Sequence, residues 1–385
     1  MAMTPRERVL ATIDRRPVDK IPVHHIQFSG YAASVILGRE AFVGGAIQQW
    51  REMNARYEGR QAHDEFLARS EEDAVALARA SEQDILRLEY WRWHETPVQR
   101  LDEYNFVFED PSLGPYTVTY HPEIELLTHK YLRSKHTHHE RDNTIEAFTE
   151  QVLEEEALAE AYEPNCSERT ANLIDKYPND LLKMGGGAIN VDIESEQELI
   201  AVGAWPELAE RYFKAKATRL IKDIPGLAAS GMIVNFNSKD FAWNAGPIIS
   251  PTMFSSIISP ALKSLVDACH GHGMLYFYGT DGNIWPVADE MFLNIGIDGY
   301  FEIDKGAGMG LRELRERYPN VTLIGGIRPA VLHQGSVDEV VREVMEALEV
   351  AHELSGIVVG VSNMIMPGTP PENIMALLNT IKDNR

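Results

Sequence analysis

The side chains able to do chemistry in this chain gather at the ends of short apolar runs. His24, His25 and Gln27 close the run from Ile21 to Gln27, and Asp84, Glu89 and Tyr90 lie in the run from Asp84 to Tyr90. Asn190 ends a third run, and Asn235, Asn237 and Asp240 close a fourth. Tyr276, Tyr278 and Asp281 follow on the fifth, Tyr300, Glu302 and Asp304 on the sixth, Arg328 on the seventh, and Ser362 and Asn363 on the eighth. Asp84, Tyr276, Tyr278, Asp281 and Glu302 are the groups suited to giving or taking a proton during a reaction. His24, His25, Gln27, Asn190, Asn235, Asp240, Arg328 and Asn363 offer hydrogen bonds and charge for holding a substrate. Tyr276 and Tyr278 are two apart, so on a strand they share a face. Inward, two phenols enter a pocket together; outward, they cap the core.

Two other clusters draw notice by composition. His136, His138 and His139 sit in the polar stretch KHTHHERD, which reads as a solvated surface rather than a metal site. Cys269, His270 and His272 end a helix ahead of the fifth run, away from the run ends. No phosphate-binding Gly-rich loop, nucleophile elbow or dinucleotide fingerprint is present.

Eight apolar runs position these groups. They are Ile21 to Gln27, Asp84 to Tyr90, Leu181 to Asn190, Met232 to Asn237, Met274 to Tyr278, Gly299 to Ile303, Thr322 to Ile327 and Ile357 to Val361. Helix-period segments separate most of them, and strands alternating with helices form parallel sheets because parallel neighbours need long crossovers. Eight such units close a barrel, so the fold class expected is α/β, a (β/α)8 TIM barrel forming one domain over residues 1–385. In that fold catalytic groups sit at the C-terminal strand ends. An inserted β-hairpin is expected over Phe106 to Tyr120, and a Glu-rich helix over Asn143 to Ala161. Thr4, Pro5 and Glu7 mark a capped helix start, and Arg16-Pro17 its end.

The 385 residues are 44% hydrophobic and 24% charged, with 36 Lys and Arg against 58 Asp and Glu, a net charge of −22. Such a chain buries a large core and repels phosphate backbones and anionic membrane surfaces. Nucleic acid and membrane are therefore not expected partners. Cys166 and Cys269 are the only cysteines, and the N-terminal stretch has no apolar run, so a cytoplasmic protein is expected.

The blocks Gly246 to Pro251 (GPIISP), Pro260 to Asp267 (PALKSLVD), His272-Gly273, Asp281-Gly282-Asn283, Gly296 to Asp298, Gly325 to Ile327 and Pro367 to Asn373 (PGTPPEN) resemble the uroporphyrinogen decarboxylase superfamily. Thr4 to Leu10 (TPRERVL) and Ile21 to Val23 are most similar to its corrinoid-dependent methyltransferase branch. The resemblance implies a (β/α)8 barrel, often a homodimer. It implies one of two chemistries: decarboxylation of acetate side chains on a tetrapyrrole, or methyl transfer to or from a corrinoid with zinc activating a thiol.

The chain departs from both patterns. The decarboxylases carry arginines after the first strand, where this chain reads His24 to Gly30 (HHIQFSG), and a histidine where it has Asn363. Asp84-Ile85-Leu86 is similar to the segment holding their catalytic aspartate. The zinc enzymes carry His-x-Cys-Gly at the fifth strand and a cysteine at the eighth. Here Tyr276, Tyr278 and Asn363 stand in those places, so no zinc is expected at the family position. The function expected is that of a methyltransferase or demethylase moving a methyl group from a small methoxylated or methylated substrate to a corrinoid on a partner protein. Methyl loss from an ether leaves an oxyanion that a placed acid can protonate. The alternatives are a uroporphyrinogen-type decarboxylase or lyase using Asp84, and a non-catalytic tetrapyrrole-binding homologue.

Overall fold

A computed structural model describes residues 2–87, 92–110, 114–131, 143–164, 180–193 and 195–385. Glu89, Tyr90, His136, His138, His139 and Cys166 lie outside the described residues.

Eight parallel strand positions close on themselves. Five form one continuous sheet: β4 (Val234–Ser238), β5 (Leu275–Gly279), β6 (Gly299–Phe301), β7 (Thr322–Ile327) and β8 (Ile357–Val361). The extended segment 22–28 is β1. It joins β8 through His24 N–H to Val359 O at 3.0 Å and Ile26 N–H to Val361 O at 3.1 Å. Asp84 N–H donates to Val23 O at 2.8 Å, placing β2 (Ile85–Leu86) beside β1. Ile85 pairs with Leu182 of β3 (Leu182–Lys183), and Phe236 N–H reaches Gly185 O at 3.1 Å to join β3 to β4. The ring is therefore complete, as eight alternating units demand.

Side-chain alternation sets two layers. Ile26, Ile85, Leu182, Val234, Phe236, Phe277, Phe301, Ile324 and Val358 fill the interior. Phe236 and Phe301 stack at 3.9 Å, and the bare backbone of Gly299 makes room beside them, since a Cβ there would lie 2.5 Å from the Phe277 ring. Each such ring removed from water contributes roughly 1.5–3 kcal/mol. The opposite face of the same strands, Tyr276, Tyr278, Tyr300, Leu323 and Val359, packs against the surrounding helices.

The helix Pro5–Ile13 seals the N-terminal end. Its Thr4 and Glu7 form the expected capping box, and Val9 joins the barrel interior from below. Arg6 N–H donates to Asp180 O, just before β3, and Arg15 reaches Thr322 Oγ1 at the start of β7. The insertion is larger than a hairpin. Gln99–Arg100, Asn105–Asp110, Gly114–His121 and Leu126–Tyr131 form a four-stranded antiparallel sheet. Its Glu125 accepts from Gly30 N–H and Tyr31 N–H, tying the insert to the helix that follows β1. The Glu-rich helix runs Ile145–Ala161. No described helix is long and apolar enough to cross a membrane.

Candidate active site

The loops leaving β4, β5, β6 and β8 bring four carboxyl groups and an amide together. Asp281 N–H donates to Asp240 Oδ1 at 3.1 Å, and Gly282 N–H to Asp304 Oδ2 at 3.3 Å. Gly282 has φ 84°, and a Cβ there would meet the Ala242 backbone at 2.6 Å. Only glycine lets the loop after β5 lie this close to the one after β4. Asn363, after β8, donates from Nδ2 to Asp281 Oδ2 at 2.6 Å, while its Oδ1 accepts from Met364 N–H. The backbone contact fixes which way the amide points, so the Asp281 oxygen it meets is an acceptor.

Glu302 follows β6 and is 4% exposed. Its φ is 63°, a left-handed conformation that typically costs a non-glycine residue about 1–3 kcal/mol. Burial, then the charges of Asp281 and Asp240, push its carboxyl well above the usual range, with Arg87 opposing. Its surroundings therefore favour the protonated form. Burial likewise raises Asp281 to about 6, against the pull of Asn363 and with the push of Asp240 and Asp304. Two carboxyls that resist ionisation beside two others are what a proton donor requires.

The other wall comes from β1 and β2. His24 is buried and sets its ring edge-on to Phe236 at 6.0 Å, and the Arg87 guanidinium lies over the same ring at 4.7 Å. Burial first, then the charge of Arg87, holds His24 well below its ordinary pKa, against a hydrogen bond to Gln83. His24, His25, Gln27 and Arg87 also line a separate pocket of about 60 Å³ between these strands and the helices Gly45–Glu58 and Arg60–Ala80.

The remaining expected site residues lie elsewhere. Tyr276 and Tyr278 point outward, because Phe277 between them fills the interior. The Tyr276 hydroxyl donates to Gly187 O at 3.3 Å and that of Tyr278 to Lys239 O at 2.9 Å. Asn190 and Asn235 belong to the same outer layer, bonded to the Tyr278 hydroxyl and to Cys269 Sγ. Arg328 turns to the helix Val337–Glu353 and forks onto Glu343, with both bonds at 2.8 Å. Asp84 stands at the start of β2, at the sealed end. It pairs with Arg8 and Arg385 and accepts from Val23 N–H. His270 pairs with Asp298 at that same end, at 2.8 Å.

Phe236 was not among the site residues expected from the sequence. Phe236 required knowing which face of β4 is inward. Among the described residues, no three His, Cys, Asp or Glu side chains converge in a way that could hold a metal ion. The zinc site that the resemblance implies would draw its ligands from the places held by Tyr276, Tyr278 and Asn363. Tyr276 and Tyr278 face away from the mouth, and both ends of the Asn363 amide are already bonded.

Residues 228–384 match the uroporphyrinogen decarboxylase (URO-D) family. This C-terminal part of the chain is similar to the URO-D family. The matched stretch begins ahead of β4 and takes in β4 to β8, the strands whose ends carry Asp240, Asp281, Glu302 and Asn363. The fold is similar to that of a methyltransferase from Methanosarcina mazei, with 19% identity, 99% of each chain covered and a TM-score of 0.62. A candidate vitamin-B12-independent methionine synthase from Listeria monocytogenes matches at 13% identity and a TM-score of 0.48, covering 94% of this chain and 98% of its own. At these identities the likeness concerns the fold alone. No curated protein matches the sequence.

Proposed function

We propose that this chain is a methyltransferase that takes a methyl group from a small methoxylated or methylated substrate and passes it to a corrinoid carried by a partner protein. The observation that carries the reading is Glu302: a buried carboxyl at the open end of the barrel, pushed well above its ordinary pKa first by burial and then by Asp281 and Asp240. A methyl ether is a poor donor because its leaving group departs as an oxyanion. When the carbon–oxygen bond breaks, the methyl goes to the corrinoid and the electron pair stays on oxygen. Glu302 then gives that oxygen its proton and becomes the anion. Asp281, half-ionised near pH 6, is placed to return a proton.

The superfamily match and the fold likeness to a methyltransferase support the reading. The reading assigns the proton that the leaving oxygen needs to Glu302 rather than to a metal. Decarboxylation through Asp84 is not supported, since Arg8 and Arg385 hold that side chain at the sealed end of the barrel. Cytoplasmic location and a homodimer are part of the same proposal.

The test is to mix the protein with cob(I)alamin and a panel of methoxylated and N-methylated small molecules and follow the corrinoid spectrum. Donor-dependent formation of methylcobalamin supports the reading. A panel without signal, with cobalamin and with corrinoid proteins, favours a binding protein instead.

A further inference from the structure

The carboxyls at the mouth are graded by depth. Asp240 is exposed, Asp281 and Asp304 are half-buried, and Glu302 is buried. One stretch of backbone links the outer three, since Asp281 N–H donates to Asp240 and Gly282 N–H to Asp304. The Glu302 carboxyl has no hydrogen-bond partner among the described residues; the groups that act on it do so by charge alone. Its favoured, protonated form carries one O–H donor. A buried donor left unpaired is costly, so this one calls for an acceptor.

The cations of the same loops are turned elsewhere. Lys239, beside Asp240, pairs with Asp192 at 3.0 Å. Lys305, beside Asp304, pairs with Glu343 and Glu346 at 3.2 and 2.9 Å, and Arg328 also takes Glu343. Arg87 eases Glu302 by its charge from the β2 side. Among the described residues, no Lys, Arg or His forms an ion pair with Asp240, Asp281, Glu302 or Asp304. The rim therefore attracts a positive group and repels a carboxylate. These carboxyls do not converge as ligands of a metal ion, so the positive group that suits them is organic.

We infer that the mouth takes a methoxylated ammonium compound, its positive group at the rim beside Asp240 and Asp304 and its ether oxygen accepting from Glu302 below. The inference rests on the methyl-transfer reading for the ether end; the ammonium end rests on the acids themselves. An ammonium has three donors and no acceptor, which suits carboxyls offered by two loops. The gradient of depth gives the ligand one orientation. Its charged end stays near water, and the oxygen that must receive a proton meets the buried acid.

Calorimetric titration at pH 7 with methoxyethylamine, its neutral analogue methoxyethanol, and butylamine, which lacks the ether oxygen, tests this without any corrinoid. Methoxyethylamine is expected to bind about tenfold or more tighter than methoxyethanol. Butylamine is expected to bind more weakly than methoxyethylamine. Asp240→Asn keeps an oxygen for Asp281 N–H and should bring the ratio of amine to alcohol toward one by weakening the amine alone. Asp304→Asn should act in the same direction and decides if Asp240→Asn fails to fold. Equal affinity for amine and alcohol in the unmodified protein, butylamine binding as tightly as methoxyethylamine, a ratio unchanged by both substitutions, or no binding by any of the three overturns the inference. Selective binding of methoxyethylamine without methyl transfer to any corrinoid would count against the methyl-transfer reading and leave the site assignment standing. Methyl transfer from neutral ethers with no preference for the amine would do the reverse.

Discussion

Asn363 Nδ2 donates to Asp281 Oδ2 at 2.6 Å, tying the loop after β5 to the loop after β8 across the barrel mouth. The contact pulls the Asp281 pKa down, yet burial and the neighbouring Asp240 and Asp304 leave it at about 6. Folding therefore works against the Asp281 charge.

The consequence for stability has a definite sign. The folded pKa lies above the unfolded one, so the folded state binds the proton more tightly. Asp281 favours folding below about pH 4, and that contribution is lost as pH rises from about 4 to 6. Asp281→Asn keeps an oxygen acceptor for Asn363 and removes the charge. It should stabilise the protein at pH 7 by up to about 3 kcal/mol and give little gain at pH 4. Thermal unfolding at the two pH values checks this; equal differences at both would show that the charge is not opposed.

Asp84 is expected to matter for folding rather than turnover. Asp84→Asn leaves Arg8 and Arg385 beside a neutral group in a buried place, and breaking such a pair costs about 3–5 kcal/mol. Denaturant unfolding should show the loss. The rate per folded molecule should stay within a few-fold of the unmodified protein, and a hundredfold fall would return Asp84 to the chemistry.

Tyr276→Phe and Tyr278→Phe each remove one hydrogen bond to a backbone carbonyl in the outer layer. Each should cost about 0.5–1.5 kcal/mol of stability. Neither should lower turnover more than a few-fold, and steady-state rates of the two variants decide the matter.

The barrel was legible because eight apolar runs and the helical segments between them admit few other solutions. The strand-end rule singled out His24, Asp240, Asp281, Glu302 and Asn363 as candidates, since it depends only on where a run stops. It failed for Tyr276, Tyr278, Asn190 and Asn235 because alternation tells which residues share a face, not which face is inward. Phe277 settles that, and its place in the interior depends on Gly299, a glycine that carries no signal by itself. Asp84 was misplaced because it stands ahead of the strand Ile85–Leu86 rather than after it. Arg328 stands at a strand end, but Glu343, on the helix that follows, turns it away. The left-handed backbone of Glu302 has no mark in the sequence.

Glu302→Gln keeps the size of the side chain and removes the transferable proton. With an ether donor, kcat should fall by about 10²–10⁴, with a much smaller change in KM. In the unmodified protein the rate should decline as pH rises through the Glu302 pKa, because the protonated form is the active one. That decline should be absent in Glu302→Gln. A rate that instead rises with pH would make Glu302 a base.

The claim on which the rest depends is that Glu302 holds its proton at neutral pH. Infrared difference spectroscopy between the unmodified protein and Glu302→Gln, taken across a pH titration, reads this directly. The account predicts a protonated-carboxyl carbonyl band at pH 7 that is missing from the variant and fades only well above the ordinary glutamate pKa. A carboxylate band from Glu302 at pH 7, with its titration near the ordinary value, would contradict it.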